Sequence, residues 1–190
     1  MKVTREQAQA NHERIVDAAA VLFRERGFEG VGVAEIMERA GLTHGGFYGH
    51  FGSKDELAAA ACTRAVQTRR DAWAPLLEEN PEAALATFVR TYLSEGHRTH
   101  RGSGCPFAAL AGEAPRQAPP VRRAFADGLR GYVERFANLV PGRSAAARRR
   151  KAIAVLSGLV GALTLARAVD DRALAGEILA AGIAAYAPEA

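Results

Sequence analysis

The chain has 190 residues, 48% of them hydrophobic and 24% charged, with a formal net charge of +4. That length allows one body of moderate size plus a small head, since domains run to about 100 to 150 residues, and abundant Ala with few aromatic residues favours packed helices over a β-sandwich. Two cysteines, Cys62 and Cys105, are too few for a disulfide framework, and the longest apolar run, Ala152 to Ala166, falls short of the roughly 20 residues a membrane span needs. No signal peptide is expected ahead of the first helix, so the expected location is the cytoplasm, away from membrane.

Thr4 and Gln7 form a capping-box pattern for a first helix lasting to about Arg26, with Ile15, Val16, Ala19, Leu22 and Phe23 at helical spacing. Gly27 ends it, and Phe28 and Val31 lie in the connecting turn. A second helix, about Val33 to Ala40, directs Val33, Ile36, Met37 and Ala40 inward. Gly41 stands where a tight turn between two helices needs a residue without Cβ. Thr43 then caps a short helix to about His50, and Ser53 with Glu56 caps the next.

In the short helix Phe47 and Phe51 share one face, while His44 with Tyr48, and Gly45 with Gly49, lie on neighbouring faces. Gly45, Gly46 and Gly49 each cost roughly 1 kcal/mol of helix stability relative to Ala. Such a helix forms only if the two phenylalanines dock it on neighbours, and its bareness then has a use. A backbone stripped of side chains approaches a phosphate or base edge closely, and Tyr48, His50 and Lys54 carry donors suited to phosphate oxygens. The alternatives are a glycine-rich solvent loop and a nucleotide-phosphate cradle. A cradle needs a preceding strand and a Lys directly after its last Gly, whereas Ser53 separates Gly52 from Lys54.

Gly27-Phe28-Glu29-Gly30, Val33 to Ile36, Ala40-Gly-Leu-Thr43, Phe47-Tyr48 through His50-Phe51, and Ser53 to Leu57 together resemble the N-terminal domain of tetracycline-repressor (TetR) family regulators. The resemblance covers about the first sixty residues. It implies an all-α fold of about nine helices, with a three-helix helix-turn-helix head over residues 1–53 and a ligand-sensing, dimerising body over 54–190. It also implies base-edge positions at His44, Gly45 and Gly46 and phosphate positions at Thr43, Tyr48, His50 and Lys54. Gly32 replaces the hydroxyl residue with which most relatives cap the second helix, and Gly49 replaces a side chain that is often larger.

Charge gives no independent support. Residues 1–56 hold seven Lys and Arg against nine Asp and Glu, a net of −2. DNA affinity would have to come from placement, with His44, His50, Lys54, helix N-termini and an arm bearing Lys2 and Arg5 toward phosphate while the acids face away.

A fourth helix is expected from Lys54 to about Trp73, its early part under the head, with Pro75, Asn80 and Pro81 as breaks beyond it. A fifth, about Glu82 to Glu95, carries Leu85, Phe88, Val89 and Tyr92. A loop from His97 to Cys105 then leads into a short helix from Pro106 to about Glu113, with Cys105 at or beside its N-cap. Prolines 115, 119 and 120 precede a seventh helix, about Val121 to Leu139, with Phe125, Leu129, Tyr132, Val133 and Phe136 inward. The last pair covers about Ala145 to Val169 and Asp171 to Ala185.

The first of that pair is apolar over more of its circumference than one neighbour covers, which suggests a homodimer interface at Leu156, Leu159, Val160, Leu163, Ile178 and Ile183. Ser157, Gly158, Gly161 and Ala162 would allow close helix approach. A four-helix bundle of these helices from two subunits is what the resemblance implies.

Cys105 carries the other chemistry. A thiol at a helix N-terminus, with His97, Arg98, His100 and Arg101 just upstream, has a setting that favours reactivity, and some regulators with this fold place a sensing cysteine before a comparable helix. The bland alternative is a small buried residue in a pocket wall. A metal site at His97, His100 and Cys105 lacks a fourth ligand, and solvated loop histidines are the commoner case. The run Arg148 to Lys151 fits a solvated helix start better than a second nucleic-acid patch.

The sequence therefore points to a regulator, expected to be a repressor, that binds a palindromic double-stranded DNA operator and takes neither cofactor nor metal. A small-molecule inducer would enter a body pocket lined by some of Phe88, Tyr92, Phe107, Leu110, Phe125, Leu129 and Tyr132, or Cys105 would be modified. The rivals are an enzyme with Cys105 as nucleophile and His97 or His100 as base, and a purely protein-binding helical module.

Overall fold

Nine α-helices and three 3-10 turns, without a strand, make up the described residues of the computed structural model. These are residues 4–79 and 83–187, the side chains of 76–79 excepted. Lys2, Asn80, Pro81 and Glu82 lie outside the described residues.

Helix α1 (Arg5–Arg26) starts on the expected box: the Thr4 hydroxyl accepts from the Gln7 amide at 3.2 Å, and the Gln7 side chain accepts from the Thr4 amide at 3.0 Å. Helix α2 (Val33–Arg39) follows Gly32, which supplies no side-chain cap. The Arg14 guanidinium donates to the Ala40 carbonyl and so ties α1 to the turn after α2. Gly41 in that turn has φ +68°, and a Cβ there would also come within 2.7 Å of the Arg14 guanidinium. Left-handed backbone and a close arginine both exclude a side chain.

The next segment, His44–Gly49, is a 3-10 helix and not the expected α-helix, and the Thr43 hydroxyl makes no cap bond. Three glycines in six residues remove the side-chain contacts that would favour regular α geometry, leaving a tighter coil held from one side. That side is the pair Phe47 and Phe51, both buried, with ring centroids 5.8 Å apart.

Helix α3 (Lys54–Glu79) begins with the Ser53 hydroxyl accepting from the Glu56 amide at 3.1 Å. The Glu56 carboxylate reaches back one residue further than a standard box, to the Gly52 amide at 2.8 Å. The helix runs through Pro75, where a break was expected. Proline forfeits one ladder bond, but Trp73 is anchored against Phe88 at 4.2 Å between ring centroids, which holds this end of the helix in the body. Apolar packing does not divide at residue 53. Leu57, Ala58, Ala61, Cys62 and Ala65 of α3 share one core with Ile15, Phe23, Ile36, Met37 and Phe47, and Leu110 and Val121 complete it from the body side.

The single helix expected to reach Glu95 is two: α4 (Ala84–Tyr92) and α5 (Glu95–Thr99). Extended backbone at Ser94 separates them, and its hydroxyl accepts from the His97 amide at 3.2 Å. His97 therefore sits on a helix and not in a loop. Helix α6 (Pro106–Leu110) has Cys105 as N-cap residue and stops short of Glu113. Helix α7 (Pro119–Ala137) takes Pro119 and Pro120 into its first turn, where missing amides cost nothing.

Helix α8 (Ala145–Ala168) is capped by Ser144, and α9 (Arg172–Tyr186) by Asp171, whose carboxylate accepts from the Ala173 and Leu174 amides at 2.8 and 3.1 Å. By length and composition α8 could cross a bilayer, contrary to the sequence expectation. Its inner face, Ala152, Val155, Leu159, Leu163 and Ala166, is instead buried in the body core.

That burial corrects the dimer surface. Leu156, Leu159 and Leu163 are at most 6% exposed in the single chain, so they are not available to a second copy, while Val160, Ile178 and Ile183 pack half-buried against the same core. A Cβ on Gly158 would strike the Tyr186 ring at 2.4 Å or less, and Gly182 faces Leu93 and Ala162. Gly158 and Ala162 thus serve contacts inside the chain. Outward on the two helices lie Ser157, Leu165, Leu174, Ala180 and Ala184.

Candidate nucleic-acid interface and buried cavity

The buried phenylalanines turn the rest of the 3-10 segment outward. Thr43, His44, Gly45, Gly46 and Tyr48 are exposed, Tyr48 by 74%, and His50 and Lys54 are half-buried at the edge. A Cβ at Gly45 or Gly49 would meet nothing within 4 Å, so the outer surface there is bare backbone. Gly46 differs: its missing side chain points to Met37 at 3.6 Å, and only its backbone is presented outward. The Tyr48 ring meets Phe47 edge-on at 5.2 Å, which leaves its hydroxyl free to face a partner.

His12 of α1 had drawn no attention in the sequence. It stacks on Phe51 at 4.5 Å and lies 6.2 Å from the His50 ring, widening the donor surface. Its helical phase beside Ile15 and Val16 is the signal that could have revealed it. Three acids of the head are already engaged: Asp17 with Arg64, Glu35 with Arg26, and Glu56 with the Gly52 amide. Of these only the Asp17 pair changes the net count, because Arg64 lies beyond residue 56 whereas Arg26 and Glu35 are both already in it; the other two fix where the acids point.

In the body, α4, α6, α7 and α8 line a cavity of about 400 Å³ that opens to solvent past Leu129, Ile153 and Ser157. Six of the expected residues line it: Tyr92, Cys105, Phe107, Phe125, Leu129 and Tyr132. Two do not. Phe88 is packed behind the wall between Trp73 and Phe136, and Leu110 is buried in the core shared with the head. Leu129, expected inward, is 39% exposed at the cavity rim. Leu156 and Val160, read from sequence as dimer contacts, line the cavity together with Ile153 and Ser157, because α8 faces the cavity with one stripe and the core with another. Arg130 and Arg149 add the charges.

Cys105 is 3% exposed on the cavity wall. Its amide donates to Nε2 of His97 at 2.9 Å, which fixes the tautomer: Nδ1 carries the proton and donates to the Tyr92 carbonyl at 2.6 Å. Burial holds the His97 pKa down to about 4, so the ring is neutral near pH 7. The basic residues upstream do not face the thiol as expected. Arg98 pairs with Glu95, and His100 is exposed and bonded to the Gly96 carbonyl. The cations near Cys105 are Arg24 of α1 and Arg167 of α8. Cys62, by contrast, is pushed up to about 12 by burial and is inert packing.

The Tyr92 and Tyr132 hydroxyls are buried beside Cys105: Tyr132 has no hydrogen-bond partner, and Tyr92 faces only the Cys105 sulfur, a weak one. Burial drives both phenols above their ordinary range, so each remains a donor. The cavity is apolar, with the unsatisfied Tyr132 O–H, the weakly engaged Tyr92 O–H and a thiol on one wall. Both ring nitrogens of His97 are occupied, so it cannot act as base for the thiol.

Comparison with known proteins accords with this geometry. Residues 15–61 match the family described as bacterial regulatory proteins, tetR family, and residues 81–175 match the LmrA/YxaF-like transcriptional regulator C-terminal domain. The chain is 29% identical over 117 residues to the HTH-type transcriptional regulator LmrA of Bacillus subtilis, a match spanning 60% of this chain and 62% of that one. It is 30% identical over 178 residues to an HTH-type transcriptional regulator of Mycobacterium tuberculosis, spanning 86% and 87% of the two chains. A TetR transcriptional regulator from Chloroflexus aurantiacus superposes with a TM-score of 0.76 at 26% identity, covering 94% of this chain and 95% of that one. The reduced form of Escherichia coli NemR shares the fold, with a TM-score of 0.77 at 21% identity and coverage of 95% and 99%.

Proposed function

The chain belongs to the TetR family of helix-turn-helix transcriptional regulators, and from that premise we propose that it is a cytoplasmic, homodimeric repressor released from a palindromic operator by an inducer in the body cavity or by modification of Cys105. The observation that carries the reading is the 3-10 segment His44–Gly49, clamped by buried Phe47 and presenting bare backbone and Tyr48 to solvent. In this reading His44 and the backbone of Gly45 and Gly46 meet base edges, and Thr43, Tyr48, His50 and Lys54 meet phosphate. Two copies would enter successive major grooves about 34 to 36 Å apart.

The inducer's effect equals its difference in affinity for the DNA-competent and incompetent spacings of the two heads. The cavity supports an apolar ligand bearing a hydrogen-bond acceptor, because the Tyr132 hydroxyl is buried there unsatisfied and that of Tyr92 has only the weak Cys105 sulfur beside it. The occupied nitrogens of His97 weigh against the enzyme reading, which needs a free base beside the thiol.

Selection of bound fragments from a random double-stranded DNA pool, with and without a thiol oxidant, tests the proposal. A palindromic consensus that is lost on oxidation, and retained on oxidation by Cys105→Ser, is expected. Recovery of no consensus would defeat operator recognition. A serine variant that still responds to oxidant would remove Cys105 from the mechanism.

A further inference from the structure

Three guanidinium groups meet where head and body join, and none forms an ion pair among the described residues. Arg24 comes from the last turn of α1, Arg69 from α3 and Arg167 from the last turn of α8. Arg24 is only 6% exposed; its Nε donates to the Gly102 carbonyl at 2.7 Å, while Nη1 is buried without a partner. Arg167 donates through Nε and Nη2 to the carbonyls of Arg98 and His97, and its Nη1 is likewise orphaned. Arg69 lies over the Trp73 ring at 4.8 Å with its Nε buried and unpartnered.

Unpaired buried cations are costly, and three within mutual influence repel one another. Burial first, and then Arg69, hold the Arg24 pKa down to about 10. A fold that gathers such groups with only the exposed carboxylate of Glu25 acting on Arg24, and no acid in an ion pair with any of the three among the described residues, leaves room for a charge that arrives from outside.

Two openings lead to the cluster. The larger, about 740 Å³, is lined by Arg24, Arg69 and Arg101 with the hydroxyls of Thr68, Thr99 and Ser103. The smaller, about 300 Å³, is lined by Arg24, Arg101 and Arg167. Glu25 borders both and is the one carboxylate lining the larger; it is exposed over Gly102 and in no ion pair with the cluster. In the smaller, Glu113 accepts from the Phe28 amide and Arg26 is paired with Glu35. No residue lines both these openings and the apolar cavity near Cys105.

We propose that this junction is a binding site for a phosphoryl group, either inorganic phosphate or the phosphate ester of a small metabolite. Guanidinium forks match phosphate oxygens in pairs, and in the larger opening a phosphoryl group would offer three terminal oxygens and up to two charges to the three cations that line it together, Arg24, Arg69 and Arg101. A carboxylate offers two oxygens and one charge, too few for the donors present. The flanking hydroxyls suit the remaining lone pairs.

The test is calorimetric titration of the full chain with sodium phosphate and with glycerol phosphate, alongside sodium acetate and sodium chloride at matched pH and ionic strength. Saturable binding of phosphate, with a rise in Tm that chloride and acetate do not give, is expected. Binding of the ester as well would identify a metabolite-type ligand, and of phosphate alone the inorganic ion. Arg24→Gln and Arg69→Gln should each weaken affinity by about tenfold or more, as expected for loss of a charged hydrogen bond. If Arg24→Gln does not fold, Arg69→Gln and Arg101→Gln, both nearer the surface, decide the matter. Equal Tm in phosphate and chloride, acetate binding as tightly as phosphate, or affinity unchanged in the variants would each overturn the site.

Discussion

The amide of Cys105 donates to Nε2 of His97 across 2.9 Å, so a histidine from one short helix fixes the start of the next. The bond requires a neutral ring, since a protonated Nε2 has no lone pair to accept with.

A pH dependence follows. The imidazole titrates near 6.5 when unfolded and near 4 when folded, because burial penalises its charged form. Between those values the unfolded chain binds more protons, so stability rises with pH and is lost as pH falls from 6.5 toward 4. This one group accounts for up to about 3 kcal/mol of that loss. Urea melts at pH 7, 5.5 and 4.5 should show the decline, and His97→Gln should flatten it while lowering stability at pH 7. Parallel pH slopes for the two proteins would refute the assignment.

Phe47 is 1% exposed and stacks on Phe51, and the glycines around it supply no packing of their own. Phe47→Ala should cost about 3 to 5 kcal/mol. It should also abolish DNA binding, because Phe47 is the one buried side chain within the 3-10 segment and Phe51, just beyond its end, loses the ring it stacks on. Body packing around Trp73 and Phe88 is separate from this core, so fluorescence of the single Trp should still report a folded body.

Much of this was legible in the residues. Thr4, Ser53, Ser144 and Asp171 are local signals, and each cap is decided within three or four residues, which a sequence exposes directly. That Phe47 and Phe51 turn inward together and leave Thr43, His44 and Tyr48 exposed was legible too, from a spacing of four, although the cap expected at Thr43 is not made. What one helix touches was not. The apolar residues of α8 were assigned to one partner surface, but the helix serves core, cavity and outer face at once, and composition does not sort its stripes. Arg24 was also missed, although it continues the buried ladder of Val16 and Ala20 at intervals of four, and a charge on an apolar ladder is a readable signal.

Tyr48 and His44 separate positioning from reading. The Tyr48 hydroxyl is exposed and its ring rests on Phe47. Tyr48→Phe should leave the melting temperature unchanged and weaken binding about tenfold on every sequence, the expected effect of losing one hydrogen bond to a charged phosphate. His44→Ala should instead alter which half-site base is preferred. Fluorescence anisotropy on the selected operator and on single-base variants distinguishes the two. A sequence-dependent loss for Tyr48→Phe would reverse their roles.

The outer faces of α8 and α9 make the proposed dimer testable without damage to the fold. Leu165 is 59% exposed and Leu174 42%, and a Cβ at Gly161 or Gly176 would meet nothing within 4 Å. A Cβ at either glycine meets open space, so substitution there begins without a clash inside the chain. Gly161→Leu should therefore keep or raise the helix content of a monomer, because glycine is the poorer helix former. In a dimer whose helices approach closely at that point, the same leucine separates the subunits. Leu165→Glu adds two like charges across a twofold axis. Each variant should raise the dimer dissociation constant by at least about tenfold, or 1.4 kcal/mol, read by sedimentation across a dilution series. Gly158→Ala is the internal contrast: its Cβ would strike Tyr186, so it should lower Tm whatever the oligomeric state. Unchanged association in both Gly161→Leu and Leu165→Glu would place the subunit contact elsewhere.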